Sequence, residues 1–508
     1  MLLNRKSVEL LAPAGTWDAL VAGVESGADA VYLGGKHFNM RMHEGEFNFD
    51  DALLKKAIDY AHEHGVRLYI TLNNLISNEE IPALREYLAY LNEIRPDALL
   101  VQDFAVLELV HEMGITIPLH TSVMMNTHNE HAIEKLKEYG ITRIVVGREM
   151  TLSELSLFRE RTGIEVEYFM HGDMCISESG QCIHSGVLFG QSGNRGRCLK
   201  PCRWAYKLID EKTGEVLDKD GPGAYKLALK DMCMYRAIPQ LIQAGVFSFK
   251  IEGRMRPAGF IRRIVSTYRK AIDAYIADPN GYTTDEEGWK TLYDNRARDF
   301  TTTFAFGQPG KKDIGFTGER EPRFFSHAVK EAGFQDEVLR QERDIEKENA
   351  AHRVLSVRCN TVESAKAAIR SGADTVYVGG EAFRPLRPWK LGDYEEILAY
   401  AKGKARVVVT TPRTTMRREC GELEQFFTAL REIRPDGLMV SNLGSLKLAQ
   451  SITDLPVQAD ISFNLFNQLA AKFLQENGLS MAATSYELSF EQLREIVETA
   501  ELPLETVV

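Results

Sequence analysis

Residues Glu9 to Gly35 read ELLAPAGTWDALVAGVESGADAVYLGG, a strand-like run, an amphipathic helical stretch and a second strand-like run. That order predicts two parallel strands joined by a crossover helix, because parallel neighbours need a long connection. The alternation continues outward. SVELLAPA, AVYLGG, LYITLN, ALLVQD, IPLHTS, RIVVGR and VEYFMH follow one another with helical patterns between them, and SFKIEG comes after a Cys- and Gly-rich interruption. Eight such units in about 280 residues predict an α/β fold with an N-terminal TIM-barrel-like (β/α)8 domain over residues 1–277; a doubly wound open sheet is the second choice.

The chain contains this pattern twice. SGADAVYLGG at Ser26 recurs as SGADTVYVGG at Ser371, EIRPDALLVQD at Glu93 as EIRPDGLMVSN at Glu432, and IPLHTSVMMN at Ile117 as LPVQADISFN at Leu455. Matching order and spacing mean domain duplication, with a divergent α/β copy over 351–508. A charged stretch, 278–350, has the composition of a connector. The second copy stops in LPLETVV, which aligns with IEVEYFM of the first copy just before its cysteines. It is either truncated or built without a cysteine set.

A hydrophobic fraction of 44% beside 26% charged residues describes a soluble globular protein, and the net charge of −11 argues against a surface that is basic all over while leaving room for a local basic groove. There is no charged segment leading into an apolar signal core, no apolar run of 18 residues, and the cysteine count is an odd seven. A disulfide framework and a membrane location are therefore not indicated; the cytoplasm is expected, and nothing points to a protein partner.

In a barrel of this kind the chemistry sits at the C-terminal strand ends. Here those ends are polar: Asn39 and Arg41, Asn73 and Asn74, Gln102 and Asp103, His120 with Thr121 and Ser122, Arg148 and Glu149, and His171. Lys250, Glu252 and Arg254 alternate along the last strand, so they share a face and are expected to project into the mouth. The plainer reading makes Lys250 and Glu252 a structural ion pair. The second copy replaces Asn73, Gln102, His120, Thr121 and Arg148 by Pro412, Ser441, Gln458, Ala459 and Tyr486, which predicts a scaffold or substrate-binding role for it.

Between the seventh and eighth strand runs, over 172–235, Cys175, Cys182, Cys198 and Cys202 are spaced C-x6-C-x15-C-x3-C. Four thiolates suit an iron–sulfur cluster or structural zinc, and the stretched first pair favours a cluster cradled by a long loop over zinc knuckles; ordinary buried cysteines are the third reading. Cys233 is a fifth candidate ligand, whereas Cys359 and Cys420 read as structural. Arg195, Arg197, Lys200 and Arg203 are interleaved with Trp204 and Tyr206. Cations beside aromatic rings suit phosphates and unpaired bases, hence RNA; equally, the cations offset the charge of four thiolates. No H-E-x-x-H helix or G-x-S-x-G elbow is present.

The runs EYFMHGDMCISESGQCIHS from Glu167, NRGRCLKPCRW from Asn194, SFKIEGRMR from Ser248 and the opening ELLAPAGTWDALVAGVESGADAVYLGG together resemble the peptidase U32 family, once described as collagenase-like proteases. The resemblance spans residues 8 to 275 closely and the second copy more loosely. It implies a TIM-barrel-like protein with a [4Fe-4S] cluster on Cys175, Cys182, Cys198 and Cys202, Cys233 being a possible substitute for Cys202. It implies oxygen-independent hydroxylation of a pyrimidine in tRNA or rRNA with prephenate as hydroxyl source. Alternatives are U32-type proteolysis and hydroxylation of a small molecule such as a quinone precursor. Under the hydroxylase reading Lys250, Arg254 and His120 are expected to hold the dicarboxylate donor, and Glu252 or His171 to move protons.

Overall fold

The computed structural model describes residues 5–219, 221–321, 353–382 and 386–508. Strands β1 (Glu9–Pro13), β2 (Ala30–Leu33), β3 (Arg67–Leu72), β4 (Ala98–Val101), β5 (Leu119–Thr121), β6 (Ile141–Val145) and β7 (Glu165–Gly172) pair in sequence order. A short strand β8 (Asp231–Cys233) and then β9 (Ser248–Ile251) follow. Because β9 pairs in parallel with both β1 and β7, the sheet closes into an eight-stranded barrel, and the open doubly wound alternative is excluded. Helices α1 (Trp17–Glu25), α2 (Asp51–Glu63), α3 (Ile81–Ile94), α4 (Phe104–Glu112), α5 (Glu130–Lys137) and α6 (Leu152–Thr162) alternate with the first seven strands. After α7 (His184–Phe189) and α8 (Ile238–Gln243), the long α9 (Ala258–Ala277) packs against α1.

The repeated motifs recur because each performs the same local task twice. In SGAD, the Asp29 carboxylate accepts the amide of Leu10 at 2.8 Å, and Asp374 accepts that of Leu355 at 2.8 Å, tying the helix end to the preceding strand. In EIRPD, Arg95 and Arg434 end their helices in the left-handed region at φ 53° and 52°. The following proline prevents the helix continuing, and Asp97 and Asp436 then accept strand amides of Leu68 and Val407, each at 2.7 Å.

The barrel interior is charged. Glu9 accepts from Tyr69 at 2.6 Å, Ser248 at 2.7 Å and Arg143 at 2.6 Å, and Lys250 pairs with Glu167 at 2.6 Å. Burial pushes the Glu9 carboxyl up, but Arg143 and Arg67 overrule it, so its pKa lies below the ordinary value.

The second copy is an open sheet of seven parallel strands, β11 (Ser356–Cys359) to β17 (Leu504–Glu505), in sequence order. Helix Leu443–Ile452, the counterpart of α4, packs on α5, and Gln468–Glu476, the counterpart of α5, packs on α4. The two copies therefore meet about a local two-fold. Asn129 donates to the Thr415 carbonyl at 2.8 Å while its counterpart Asn467 donates to the carbonyl of Ile76, the counterpart of Thr415, at 3.0 Å.

The expected connector is not a bare tether in its described part. Helix α10 (Glu286–Asp294) packs on α9, and β10 (Phe300–Thr301) pairs with β8. Residues 322–350 of that stretch lie outside the described residues. No helix among the described residues is long and apolar enough to cross a membrane.

Candidate active site at the barrel mouth

The connection between β7 and β8 folds over the C-terminal ends of the strands and encloses with them a cavity of about 710 Å³. All four clustered cysteines line it. Burial raises the pKa of Cys175 and Cys182 and pushes that of Cys202 up to about 12, and neighbouring thiols add to each shift, so the sulfurs lie within electrostatic range of one another. The Lys200 amide donates to Cys198 Sγ at 3.4 Å.

Among the described residues no group of three or more His, Cys, Asp or Glu side chains is arranged to hold a metal ion. The donor set nevertheless fits a thiolate-ligated group. Four soft ligands face one cavity, and in a cluster each iron takes its own thiolate, so the sulfurs need not converge on a point. Binding would require the raised thiols to lose their protons. Cys233 does not join them. It is buried in β8, faces the Tyr268 hydroxyl at 3.5 Å and does not line the cavity, which leaves Cys202 as the fourth thiol at the site.

The polar strand ends divide into two groups. Lys250, Glu252, Arg254 and His171 line the cavity; His120 does not. His120 lies deeper, edge-on to Tyr69 with ring centres 4.9 Å apart, and burial together with Arg143 and Lys250 holds its pKa well below the ordinary value. It cannot hold a donor in the cavity. Lys250 and Glu252 are each ion-paired, but not to one another: Lys250 goes to Glu167, and Glu252 takes Arg148 at 2.5 Å. Arg254 is buried and bonded to Asn39 at 3.0 Å, Asn48 at 2.8 Å and Thr71 at 3.3 Å. His171 faces the Tyr268 hydroxyl at 3.1 Å, and burial lowers its pKa to about 3. Glu252, the least enclosed of these groups, retains access to the cavity.

The basic stretch is mostly internal. Arg195 is buried, bound to Glu80 at 2.8 Å and 3.0 Å and to the Leu75 carbonyl at 2.9 Å. Arg203 is buried against Glu321 at 2.9 Å and the Met174 carbonyl at 2.7 Å, and Arg197 reaches His43 at 3.1 Å. These three arginines are buried against the loop and not presented to an RNA: carboxylates and carbonyls distant in sequence converge on Arg195 and Arg203, and the His43 ring meets Arg197. Lys200 lines the cavity and pairs with Asp173 at 3.0 Å. Trp204 is half-buried with its ring centre 5.3 Å from that of Phe189, and Tyr206 is anchored to the Pro201 carbonyl at 2.7 Å.

The fold adds Arg256, Arg263 and His128, which sequence reading had not placed at the site, to the strand-end residues Arg41 and Glu149, which it had. Arg256 and Arg263 line the cavity together with Arg41, and none of the three pairs with a carboxylate among the described residues. For Arg256 and Arg263 the only sequence signal is the basic set Arg254, Arg256, Arg262, Arg263, Arg269 and Lys270 that follows the last strand run, and it does not distinguish the cavity-facing members from Arg269, which pairs with Asp29 at 2.8 Å. His128 and Glu149 form a buried pair at 2.5 Å, and Glu149 also accepts the Ser179 amide at 3.0 Å and hydroxyl at 2.9 Å, fixing the loop near Cys182.

Comparison with known proteins is consistent with this architecture. The family model described as Peptidase family U32 matches residues 15–315 and 360–508. The chain is 33% identical to tRNA hydroxylation protein P1 of Bacillus subtilis over 315 residues, covering 61% of this chain and 74% of that protein. It is 35% identical over 305 residues to an uncharacterized protease of Methanocaldococcus jannaschii, covering 59% of this chain and 73% of that protein. It is 34% identical over 280 residues to the 23S rRNA 5-hydroxycytidine C2501 synthase of Escherichia coli, covering 55% of this chain and 41% of that protein.

Proposed function

Since the chain belongs to peptidase family U32, we propose that it is an RNA-modifying enzyme that hydroxylates a pyrimidine of tRNA or rRNA without molecular oxygen. The single observation that carries this reading is that four thiols line one cavity together with three arginines, Arg41, Arg256 and Arg263, that pair with no carboxylate among the described residues. Cys175, Cys182, Cys198 and Cys202 would hold a [4Fe-4S] cluster, which when bound supplies redox and Lewis-acid chemistry. Arg41, Arg256 and Arg263 suit the anionic groups of RNA and of the donor, prephenate in this reading, because cations without a protein counter-charge bind phosphate or carboxylate most strongly. Lys250 and Arg254 form the cationic wall behind them, each held by its own partners. Glu252, steadied by Arg148, is the group suited to hold or pass a proton at the cavity surface. The target base must be unstacked to reach the mouth, and half-exposed Trp204 beside Phe189 offers a stacking surface near it. Such substrates place the protein in the cytoplasm.

The proteolytic reading rests on the names of relatives, an uncharacterized protease and a collagenase. Against it stands the thiol chemistry: a cysteine nucleophile needs a lowered pKa, and burial raises those of Cys175, Cys182 and Cys202.

Anaerobic purification with iron and sulfide quantification tests the proposal, paired with mass spectrometry of RNA nucleosides from a deletion strain. We expect about four iron and four sulfide per chain, lost in Cys182→Ala, and a hydroxylated pyrimidine missing from the deletion strain. Unaltered RNA nucleosides, or cleavage of an unstructured protein by metal-free chain, would overturn it.

A further inference from the structure

Glu149 and Glu487 occupy equivalent places in the two copies, in GREM and SYEL respectively. Both carboxylates bind the same cysteine loop, at opposite ends of one arm. Glu149 takes Ser179, as above, while Glu487 Oε2 accepts the Ser192 hydroxyl at 2.9 Å and the Asn194 amide group at 3.1 Å. Cys182 lies between these two anchor points. Other equivalent positions repeat the pattern. Leu75 of the first copy donates its amide to the Asn194 carbonyl at 2.9 Å, and its counterpart Thr414 donates its hydroxyl to Glu178 at 2.6 Å. From the second copy, Asn464 also donates to the Gly180 carbonyl at 3.0 Å, and the Ser462 carbonyl accepts from Gln181 at 3.1 Å.

The arm 178–194 thus lies across the local two-fold, gripped by matching residues from each side. It has little regular structure of its own: the short helix α7 and one 3-10 turn, Gly193–Arg195. An irregular segment holds one conformation only when outside contacts over-determine it. We propose that the second copy is the other jaw of a clamp on the cysteine loop, with Glu487 as the positioning residue that keeps Cys182 turned toward the cavity. This deepens the proposed function, whose cavity it takes as the site, but the clamp itself needs no metal. It also gives a reason for the second copy to have retained its frame while its own mouth diverged.

One glycine reports the contact directly. A Cβ at Gly186 would sit 2.2 Å from Glu487 Oε1, so Gly186→Ala must push the carboxylate off Ser192 and Asn194, although alanine otherwise favours a helix. The test is hydrogen exchange on the full-length chain as purified, together with alkylation of Cys182 after reduction and chelation. Glu487→Ala and Gly186→Ala should each speed exchange of residues 180–194 and alkylation of Cys182 by about tenfold, and the double variant should add nothing further. Glu487→Gln, which keeps an acceptor oxygen, should stay within about threefold of wild type. Exchange across β13 (Arg406–Thr410) should not change in any of them. The proposal fails if Glu487→Ala leaves the arm unchanged, if the two substitutions add independently, or if β13 loosens in step. Should Glu487→Ala not fold, Ser192→Ala and Asn194→Ala remove the same bonds from the loop side and decide the matter by the same readout. Because exchange is read without RNA and alkylation after chelation, neither needs hydroxylase activity, and a failed clamp is distinguishable from a failed hydroxylase.

Discussion

At the scale of single residues, burial decides which charges the site can use. His171 is packed edge-on against Tyr268 and Phe300, with ring centres 5.7 Å and 5.3 Å away, and its folded pKa of about 3 lies far below the ordinary imidazole value near 6.5. Burial is the main cause and the charge of Arg256 adds to it. A depressed histidine binds fewer protons when folded than when unfolded. Its contribution is therefore fully present above about pH 6.5 and is lost as pH falls toward 3, with a limiting slope of about 1.4 kcal/mol per pH unit. We expect urea midpoints to fall between pH 7 and 5, and His171→Gln to flatten that fall by the equivalent of about one proton. An unchanged slope in the variant would show that His171 is protonated in the fold, and so available as an acid near neutrality.

At the scale of elements, the paired asparagines hold the two copies in register. Asn467 caps its own helix by accepting the Ala470 amide at 2.7 Å, and its amide group donates to Ile76 and to both oxygens of Asp103 at 3.0 Å and 3.1 Å. Around it, Phe104 stacks on Phe473 with ring centres 4.2 Å apart and an interplanar angle of 5°. Asn467→Ala removes cap and cross-copy bonds together and should cost about 2–4 kcal/mol in chemical denaturation, whereas Asn467→Ser keeps a capping oxygen and should cost about half as much. Equal losses from the two substitutions would mean that the cap is worth nothing here and the bonds between copies carry the whole effect.

For the whole molecule, one contiguous cluster of buried apolar side chains runs through barrel and second copy, with only a small separate cluster of Tyr377, Val408 and Met439 in the second copy, so unfolding should be cooperative across both. Tryptophan fluorescence can check this: Trp17 and Trp289 belong to the barrel half, and Trp389 to the second copy. Wild type and Trp389→Phe should give coincident urea midpoints. An early transition that disappears with Trp389 would show instead that the second copy melts independently, and a clamp built on it would then open before the barrel does.

The barrel, its duplication and the grouping of four cysteines at one place were all legible in the chain, because each follows from short-range rules: strand and helix periodicity, repeated motifs that tie one strand to one helix, and the spacing of thiols along a single loop. The fates of Arg195, Arg203, Lys250 and His120 were not. Each residue type and spacing suited RNA or an anionic donor, but whether a cation faces solvent or is consumed by a carboxylate depends on Glu80, Glu321 and Glu167, which reach it only through barrel closure and chain return. The same holds for Glu487, which lies 295 residues beyond Ser192 in the chain. Sequence determined the elements and their order, since hydrophobic period and turn chemistry are local; tertiary structure alone decided which charges are neutralised and which loop the second copy grips, since those depend on contacts between residues hundreds apart.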